Sequence, residues 1–526
     1  MPARDKGHGV ARPCGPPWRL HGNLAIFLGV ITVATGIVCL LSLRGFGWGV
    51  KNEWEWHRGG EFLKGMWGLP LIPLAVALAG LPILLRWHRA RRPGRLDTVV
   101  TVIFLIAITF ALQMAVWFMQ PGAVGAAAGV MLSPTTTTYF TYAFRHRTDS
   151  LSFLLSNYAQ IMREFRAHAR THPPGPLILF WATQRVVAAW PGLQRAIAGV
   201  ADAFQPGGFD FIVTVARGHY APLPRDTVAA AILAGFLLPF LGSLSVVFVY
   251  FLARLLNADQ VVAVVAGFCA ATIPSLVLFA PAVDQVAAFL GAAALLALCA
   301  AGMRGSLLLA AVAGVILALG TFVSLAILAL APLGGLWLAL SRPGPRLRVA
   351  LAWAGGFIAF FLVLFGLFRF NFIAVVLQGI GAHHAYTTQA FPRTYHKWLF
   401  WNLMDAALFL GVPLALWLGR EAIGQARRPS GDPEGNALGM SLKGRAIAVD
   451  PLLLAWLITV LALDLSGVVR GEAGRLWMFL LLPAAVPAGA AIARLGPTAG
   501  RATAVTLVLQ VAQLIVFKEM MSLFVI

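Results

Sequence analysis

Between His146 and Trp190 the chain is dense in groups that can do chemistry: Asp149, Glu164, His146, His168, His172 and the arginines Arg147, Arg163, Arg166, Arg170 and Arg185. A carboxylate can accept the proton of a reacting hydroxyl, and a guanidinium matches phosphate oxygens in a two-pronged fork. At the centre stands Thr171-His172-Pro173-Pro174-Gly175-Pro176. A residue before proline avoids the helical region, which predicts extended backbone at His172. The prolines then pre-set the entry to a helix. Upstream, Leu151, Leu154, Tyr158, Ile161 and Phe165 recur at spacings of three and four. That period predicts one amphipathic helix over 149–170, started by Asp149 or Ser150 and lying in the membrane plane with its apolar face down.

The remainder of the chain must position these groups, and it is of a different kind. Of 526 residues 59% are hydrophobic and 11% charged, against about 25% charged in soluble domains. Apolar runs fall at about 23–43, 67–86, 97–119, 228–253, 259–280, 284–302, 305–320, 322–341, 349–369, 398–419, 450–468, 476–493 and 502–522. Runs of this kind can cross about 30 Å of hydrocarbon as helices. The expected fold is an all-α polytopic membrane protein with about thirteen transmembrane helices. The first run is too long for a signal peptide and reads as a span. The net charge of +20 fits basic loops that set topology and meet anionic lipid. No nucleic-acid-binding motif accompanies it, so nucleic acid is set aside as a partner. The cysteines Cys14, Cys39, Cys269 and Cys299 are scattered, with neither a disulfide framework nor a CxxC metal site.

A cytoplasmic N-terminus puts the basic loops 86–95, 342–348, 420–449 and 494–501 inside. The short run 177–192 decides the parity: counted as a span, it would move the turn at Arg254 and every later basic loop to the other side. It is therefore read as an interfacial or re-entrant helix, residues 120–227 as one large external loop, and the C-terminus as external. The Ala, Gly, Arg and Pro richness suggests a GC-rich bacterial source and hence the cell membrane.

Several other residues are candidates. Asp284 lies between two apolar runs, where an ionisable group is a functional candidate or a helix cap. Asp405 and Asp464 lie deeper and are expected to pair with Arg470, Arg475 or Lys397. Glu472 and Arg475 stand three apart, in helical register for an ion pair. His383, His384, Tyr386, His396 and Lys397 form a polar cluster in the external segment 371–397. Adjacent histidines point apart, so a divalent metal stays open only if His172 or an acid joins them.

At His172-Pro173-Pro174-Gly175 the chain resembles the C-type membrane glycosyltransferases, in particular the protein O-mannosyltransferase and aminoarabinose-transferase relatives. Those proteins carry a similar His-Pro-Pro element after their first large external loop. Ala253-Arg254-Leu255-Leu256, then Pro274 and Asp284, are similar to the family's order of features. Gly471-Glu472-Ala473-Gly474-Arg475-Leu476-Trp477 resembles a segment of some bacterial members. The likeness covers roughly 97–345, with 1–96 as an N-terminal addition of two spans and 346–526 as further spans. It implies transfer of a sugar from a polyprenyl-phosphate donor on the outer face of the membrane. On this reading Asp149 and Asp284 are catalytic, and Arg475, Arg170 and His172 meet the donor phosphate. His383, His384, Tyr386 and Glu472 then meet the acceptor. The family's acid after the first span of the core has no counterpart in Ser133–Phe140, which gives Asp149 that role. Two alternatives stand beside this one: an inactive scaffold of the same fold that binds a partner membrane protein, and a transporter or flippase of lipid-linked saccharide.

Overall fold

The computed structural model describes residues 17–56, 66–90, 94–133, 138–220, 223–341, 345–390, 392–426, 438–442 and 445–521. The basic tail 1–16, residues 134–137 of the stretch without an acid, and residues 427–437 and 443–444 of the loop 420–449 lie outside them. The chain begins with α1 (Pro17–Leu43), the hairpin β1 (Trp48–Val50) and β2 (Trp54–Trp56), α2 (Leu71–Ala90) and α3 (Arg95–Trp117). Seven helices follow outside the long runs: α4 (Ala123–Leu132), α5 (Tyr139–Arg145), α6 (Leu151–Ser156), α7 (Tyr158–Glu164), α8 (Gly175–Ala189), α9 (Pro191–Phe204) and α10 (Gly208–Tyr220). Then come α11 (Arg225–Asn257), α12 (Gln260–Ala271), α13 (Pro274–Leu278), α14 (Asp284–Arg304), α15 (Leu307–Val323), α16 (Leu330–Leu340), α17 (Arg346–Phe368) and α18 (Phe372–Ala385). The last part holds α19 (Tyr395–Leu410), α20 (Val412–Ala426), the hairpin β3 (Leu438–Leu442) and β4 (Arg445–Val449), α21 (Pro451–Ser466), α22 (Ala473–Leu476), α23 (Met478–Leu481), α24 (Ala485–Ala493) and α25 (Ala499–Met520).

Every one of the thirteen apolar runs is helical, but they are not thirteen straight spans. Among the described residues seven helices are long and apolar enough to cross a membrane, or eight if the bent pair α19 and α20 is one. The other runs form shorter apolar helices, such as Gln260–Ala271 and Pro451–Ser466. Proline and glycine interrupt them: Pro274 opens α13 three residues after α12 ends. One end of the bundle gathers cations and their partners. There Arg89 donates to the Gly496 carbonyl at 2.9 Å, Arg254 to Thr98 at 3.1 Å, and Arg494 pairs with Glu421.

The run 398–419 turns by 109° between α19 and α20. The hinge is Gly411, at a φ of +95°. The Gln510 side chain occupies the place a Cβ would take there. A break inside an apolar bundle strands backbone groups that water cannot reach. Two glutamines of α25 satisfy them. Gln513 accepts from the Val412 N–H at 3.0 Å and donates to Leu408 O at 2.8 Å, and Gln510 donates to Leu410 O at 3.2 Å. Gly411→Ala is therefore expected to destabilise the protein by about 2 to 4 kcal/mol, combining positive-φ strain with overpacking. Thermal unfolding in detergent measures it, and a variant as stable as the parent would refute this account of the hinge.

The N-terminal hairpin is bound into the later bundle instead of standing apart from it. Glu53 Oε2 accepts from the Thr394 N–H at 2.7 Å and from Trp398 Nε1 at 2.9 Å. Its Oε1 accepts from the Thr394 hydroxyl at 2.6 Å and from Lys397 Nζ at 2.9 Å. Burial alone would raise this acid, but the donors outweigh it and hold Glu53 at about 2 instead of 4.5. A depressed carboxylate stabilises the fold above its unfolded value and ceases to do so as it becomes protonated. Between pH 4.5 and 2 the protein should lose about 1 to 3 kcal/mol from this site. Glu53→Gln should remove that step from a plot of melting temperature against pH, and an unchanged step would assign it elsewhere.

The segment 149–190 differs from the expected single surface helix. The helix 149–170 is broken at Asn157 into α6 and α7, followed by a short 3-10 turn over Ala167–Thr171. Ser150, not Asp149, caps its start by accepting from the Phe153 N–H at 3.1 Å. The stripe Leu154, Tyr158, Ile161 and Phe165 is buried within the protein. Its aromatic members explain why it turns inward. Phe165 stacks on Tyr142 at 4.1 Å, and the Tyr158 hydroxyl donates to His172 O at 2.9 Å. The run 177–192 appears as α8, whose 15 residues reach about 22 Å, short of a full crossing. Its Gln184 is buried and donates to Phe140 O at 3.0 Å.

Candidate functional site

The site is built around the segment 467–475, which links α21 to α22. Two residues of α19 pin its backbone. Asn402 donates to Val469 O at 2.8 Å and accepts from the Gly471 N–H at 2.8 Å, and Asp405 accepts from the Gly474 N–H at 2.8 Å. Asp405 also accepts from Trp56 Nε1 at 2.7 Å, and Asp464 from Asn402 at 3.1 Å. The cationic partners expected for these two acids are thus replaced by neutral donors. Lys397 pairs with Glu53 instead, and Arg470 donates to the carbonyls of Gly467 and Arg393.

So held, the segment presents Glu472 and Arg475 side by side. Their ion pair closes at 2.6 Å, as their spacing predicts, although Glu472 itself sits at a left-handed φ of 58° before a helix of four residues. Arg393 approaches Glu472 from the other side at 3.5 Å and lies over the Trp54 and Trp398 rings. Glu472 is clamped between two guanidiniums. Asp284, at the start of α14, and Tyr139, at the start of α5, both feel the Arg475 charge. Burial works against that charge, but Glu472, then Asp284, Tyr139 and Tyr386 outweigh it and hold the Arg475 proton more tightly than usual. Burial, reinforced by Asp284, keeps the Tyr139 phenol well above its ordinary value, so it is a neutral donor. Burial and Glu472 likewise raise Tyr386. Asp284, Arg475, Glu472, His172 and Tyr386 each keep part of their surface open.

His172 joins this group through Tyr139, whose ring meets the imidazole edge-on at 5.6 Å. Its backbone is extended, with φ −117° and ψ 149°, as the following proline requires. Pro174 and Gly175 then start α8. A Cβ on Gly175 would run into the Phe322 carbonyl at the end of α15. The His-Pro-Pro-Gly sequence is thus a corner fitted against a neighbouring helix end, which positions the imidazole.

From Tyr386 and Thr171 the site continues into a cavity of about 1130 Å³ between α18 and the 3-10 turn. One wall carries Arg163, Arg166 and Arg170; the other carries Leu377 and Gln378 of α18. Gln378 accepts from Arg163 at 3.1 Å. Outside the cavity α18 exposes Ile373 and Ile380, each more than half open. The cavity therefore offers guanidiniums on one side and an apolar helix on the other.

Of the candidate residues, the structure pairs Glu472 with Arg475, puts Asp284 and Tyr386 within range of the Arg475 charge and His172 against Tyr139, and lines the adjoining cavity with Arg170. It does not bring Asp149 there. That carboxylate binds His146 at 2.7 Å, next to the Arg147–Asp226 ion pair that ties the loop to α11. His383 binds Val468 O at 2.9 Å and so fastens α18 to the central segment, while the His384 carbonyl accepts from Thr387 and Thr388. Among the described residues no three His, Cys, Asp or Glu side chains gather to hold a metal ion. Reading the sequence missed Tyr139, Arg393, Asn402 and Glu53. The pair of tryptophans flanking Glu55 was the one available sign of the hairpin that carries Glu53. No protein-family model, curated protein or solved structure matches the chain.

Proposed function

We propose that the protein is a membrane glycosyltransferase that moves a sugar from a polyprenyl-phosphate donor to an acceptor hydroxyl on the outer face of a cell membrane. The observation that carries this reading is the Glu472–Arg475 ion pair, with Asp284 within range of the Arg475 charge, next to a cavity with three arginines on one wall and an apolar helix on the other. A polyprenyl-phosphate sugar complements both sides, with an anionic phosphodiester head, which gains a second charge when the sugar leaves, and an apolar tail. The acceptor oxygen bonds to the anomeric carbon, and the bond from that carbon to the phosphate oxygen breaks with its electron pair left on phosphate. Asp284 takes the hydroxyl proton. Arg475 and Arg170 meet the charge that develops on the leaving phosphate. His172 and Tyr139 donate to the same group, and Glu472 orients Arg475. The acceptor enters past Tyr386 and the His383-His384 end of α18.

The shorter apolar helices complete further crossings in broken form, giving about thirteen, and the basic end of the bundle faces the cytoplasm as basic loops do. The polar groups inside the long helices speak against a transport path. Gln113, for example, gives its amide N–H groups to Pro239 O at 3.0 Å and Ser243 Oγ at 2.8 Å. The test is sugar transfer by the purified protein from a labelled polyprenyl-phosphate sugar to membrane acceptors. Release of free polyprenyl phosphate with appearance of label in a new product is the expected result. Saturable binding of the donor without any turnover would instead identify an inactive scaffold.

A further inference from the structure

The basic end of the bundle holds a cleft whose lining differs from that of the cavity beside Tyr386. Between the end of α2 and the beginning of α25 lies a cleft of about 590 Å³ bordered by Arg86, Arg89 and Arg501, with Leu85, Pro82 and Ala504 beneath them. Arg89 is held in place by its bond to Gly496 O, 2.9 Å long. Arg86 and Arg501 are exposed, and among the described residues neither makes a hydrogen bond or an ion pair. Three like charges converge where the first turn of α25 adds its own positive end, and a cation there opposes the helix dipole. Among the described residues no carboxylate borders the cleft. An anion is what this arrangement lacks.

The surface below the arginines decides which kind of anion. On α2, Ala75, Ala79 and Pro82 continue the face of Arg86, and on α25, Ala504, Val508 and Ala512 continue that of Arg501; all but Ala504, which is half-buried, are exposed. Ile83 and Val508 are 63% and 42% exposed, as lipid-facing side chains are. A soluble anion would leave this furrow empty, whereas an amphiphile fills both parts. Basic pockets between helices on the cytoplasmic side are suited to lipid phosphate. We propose that the cleft binds an anionic glycerophospholipid, its phosphate on Arg86, Arg89 and Arg501 and one acyl chain in the furrow between α2 and α25.

The full-length protein, purified in a neutral detergent, is titrated with phosphatidylglycerol, with phosphatidylcholine and with inorganic phosphate, and retained lipid is read by native mass spectrometry. Phosphatidylglycerol should bind saturably and at least tenfold more tightly than phosphatidylcholine. The double variant Arg86→Gln, Arg501→Gln should lose at least that factor while its melting temperature without lipid stays that of the parent. In parallel, a photo-crosslinkable phosphatidylglycerol on the unaltered protein should label peptides from 71–90 and 499–520, which keeps the test valid if the variant folds poorly. Equal binding of the two lipids, unchanged affinity in the double variant, labelling confined to other helices, or displacement of the lipid by inorganic phosphate at comparable concentration would each overturn the assignment.

Discussion

Asp284→Asn is expected to lower the turnover of sugar transfer by about 10² to 10⁴-fold, the usual contribution of a positioned general base. The substitution keeps the shape of the side chain and removes its capacity to take a proton. Its structural cost should be small. Asp284 is the first residue of α14, and loss of a negative charge at a helix start costs about 0.3 to 1 kcal/mol. Turnover should therefore collapse while the melting temperature and the apparent affinity for donor barely move. A purely structural acid would give the opposite pattern, a lower melting temperature with turnover within a few-fold of the parent. That result would remove Asp284 from the reaction.

The second large effect falls on Arg475. Truncation to alanine is a poor probe, because it strips Glu472 of its 2.6 Å partner, and breaking a buried ion pair costs about 3 to 5 kcal/mol. Arg475→Lys keeps the charge and gives up the fork. Turnover should fall by about 10² to 10³-fold, the scale of one lost charge-stabilising donor, while Glu472 stays paired and stability changes little. In the proposed reaction the fork acts on charge that grows as the phosphate leaves, so the loss should appear in kcat more than in KM. Kinetics with the polyprenyl-phosphate donor separate the two. Equal activity of the lysine variant would show that Arg475 serves only to fix Glu472.

The parts of this arrangement that were legible in the sequence are those governed by local rules. Apolar runs announced helices because hydrocarbon leaves the backbone few other choices. His172 was read as extended because proline follows it. Glu472 and Arg475 were paired from their spacing. What escaped was decided by packing over long separations. Asp149 has a helix-start position and charged neighbours, yet a histidine three residues away claims it. Tyr139 and Arg393 carry no local sign of function; they matter only because α5 and the segment before α19 arrive beside Arg475. The stripe from Leu154 to Phe165 has the right period for a membrane-surface helix, but period alone does not tell lipid from protein as the apolar partner. The hinge within 398–419 was hidden for a related reason, since one glycine in an apolar run is ordinary until the glutamines that require it are known.

That hinge also bears on how the protein is made. The groups that satisfy the bend at Gly411 belong to Gln510 and Gln513, about a hundred residues later in the chain. At the pace of synthesis, about 5 to 20 residues per second, the bend waits roughly 5 to 20 s for them. During that interval α19 and α20 have open carbonyl and amide groups at their junction, in an environment that punishes both. A nascent chain stalled before residue 510 would therefore be a substrate for membrane quality control, whereas one released after residue 513 would already have the seal in hand.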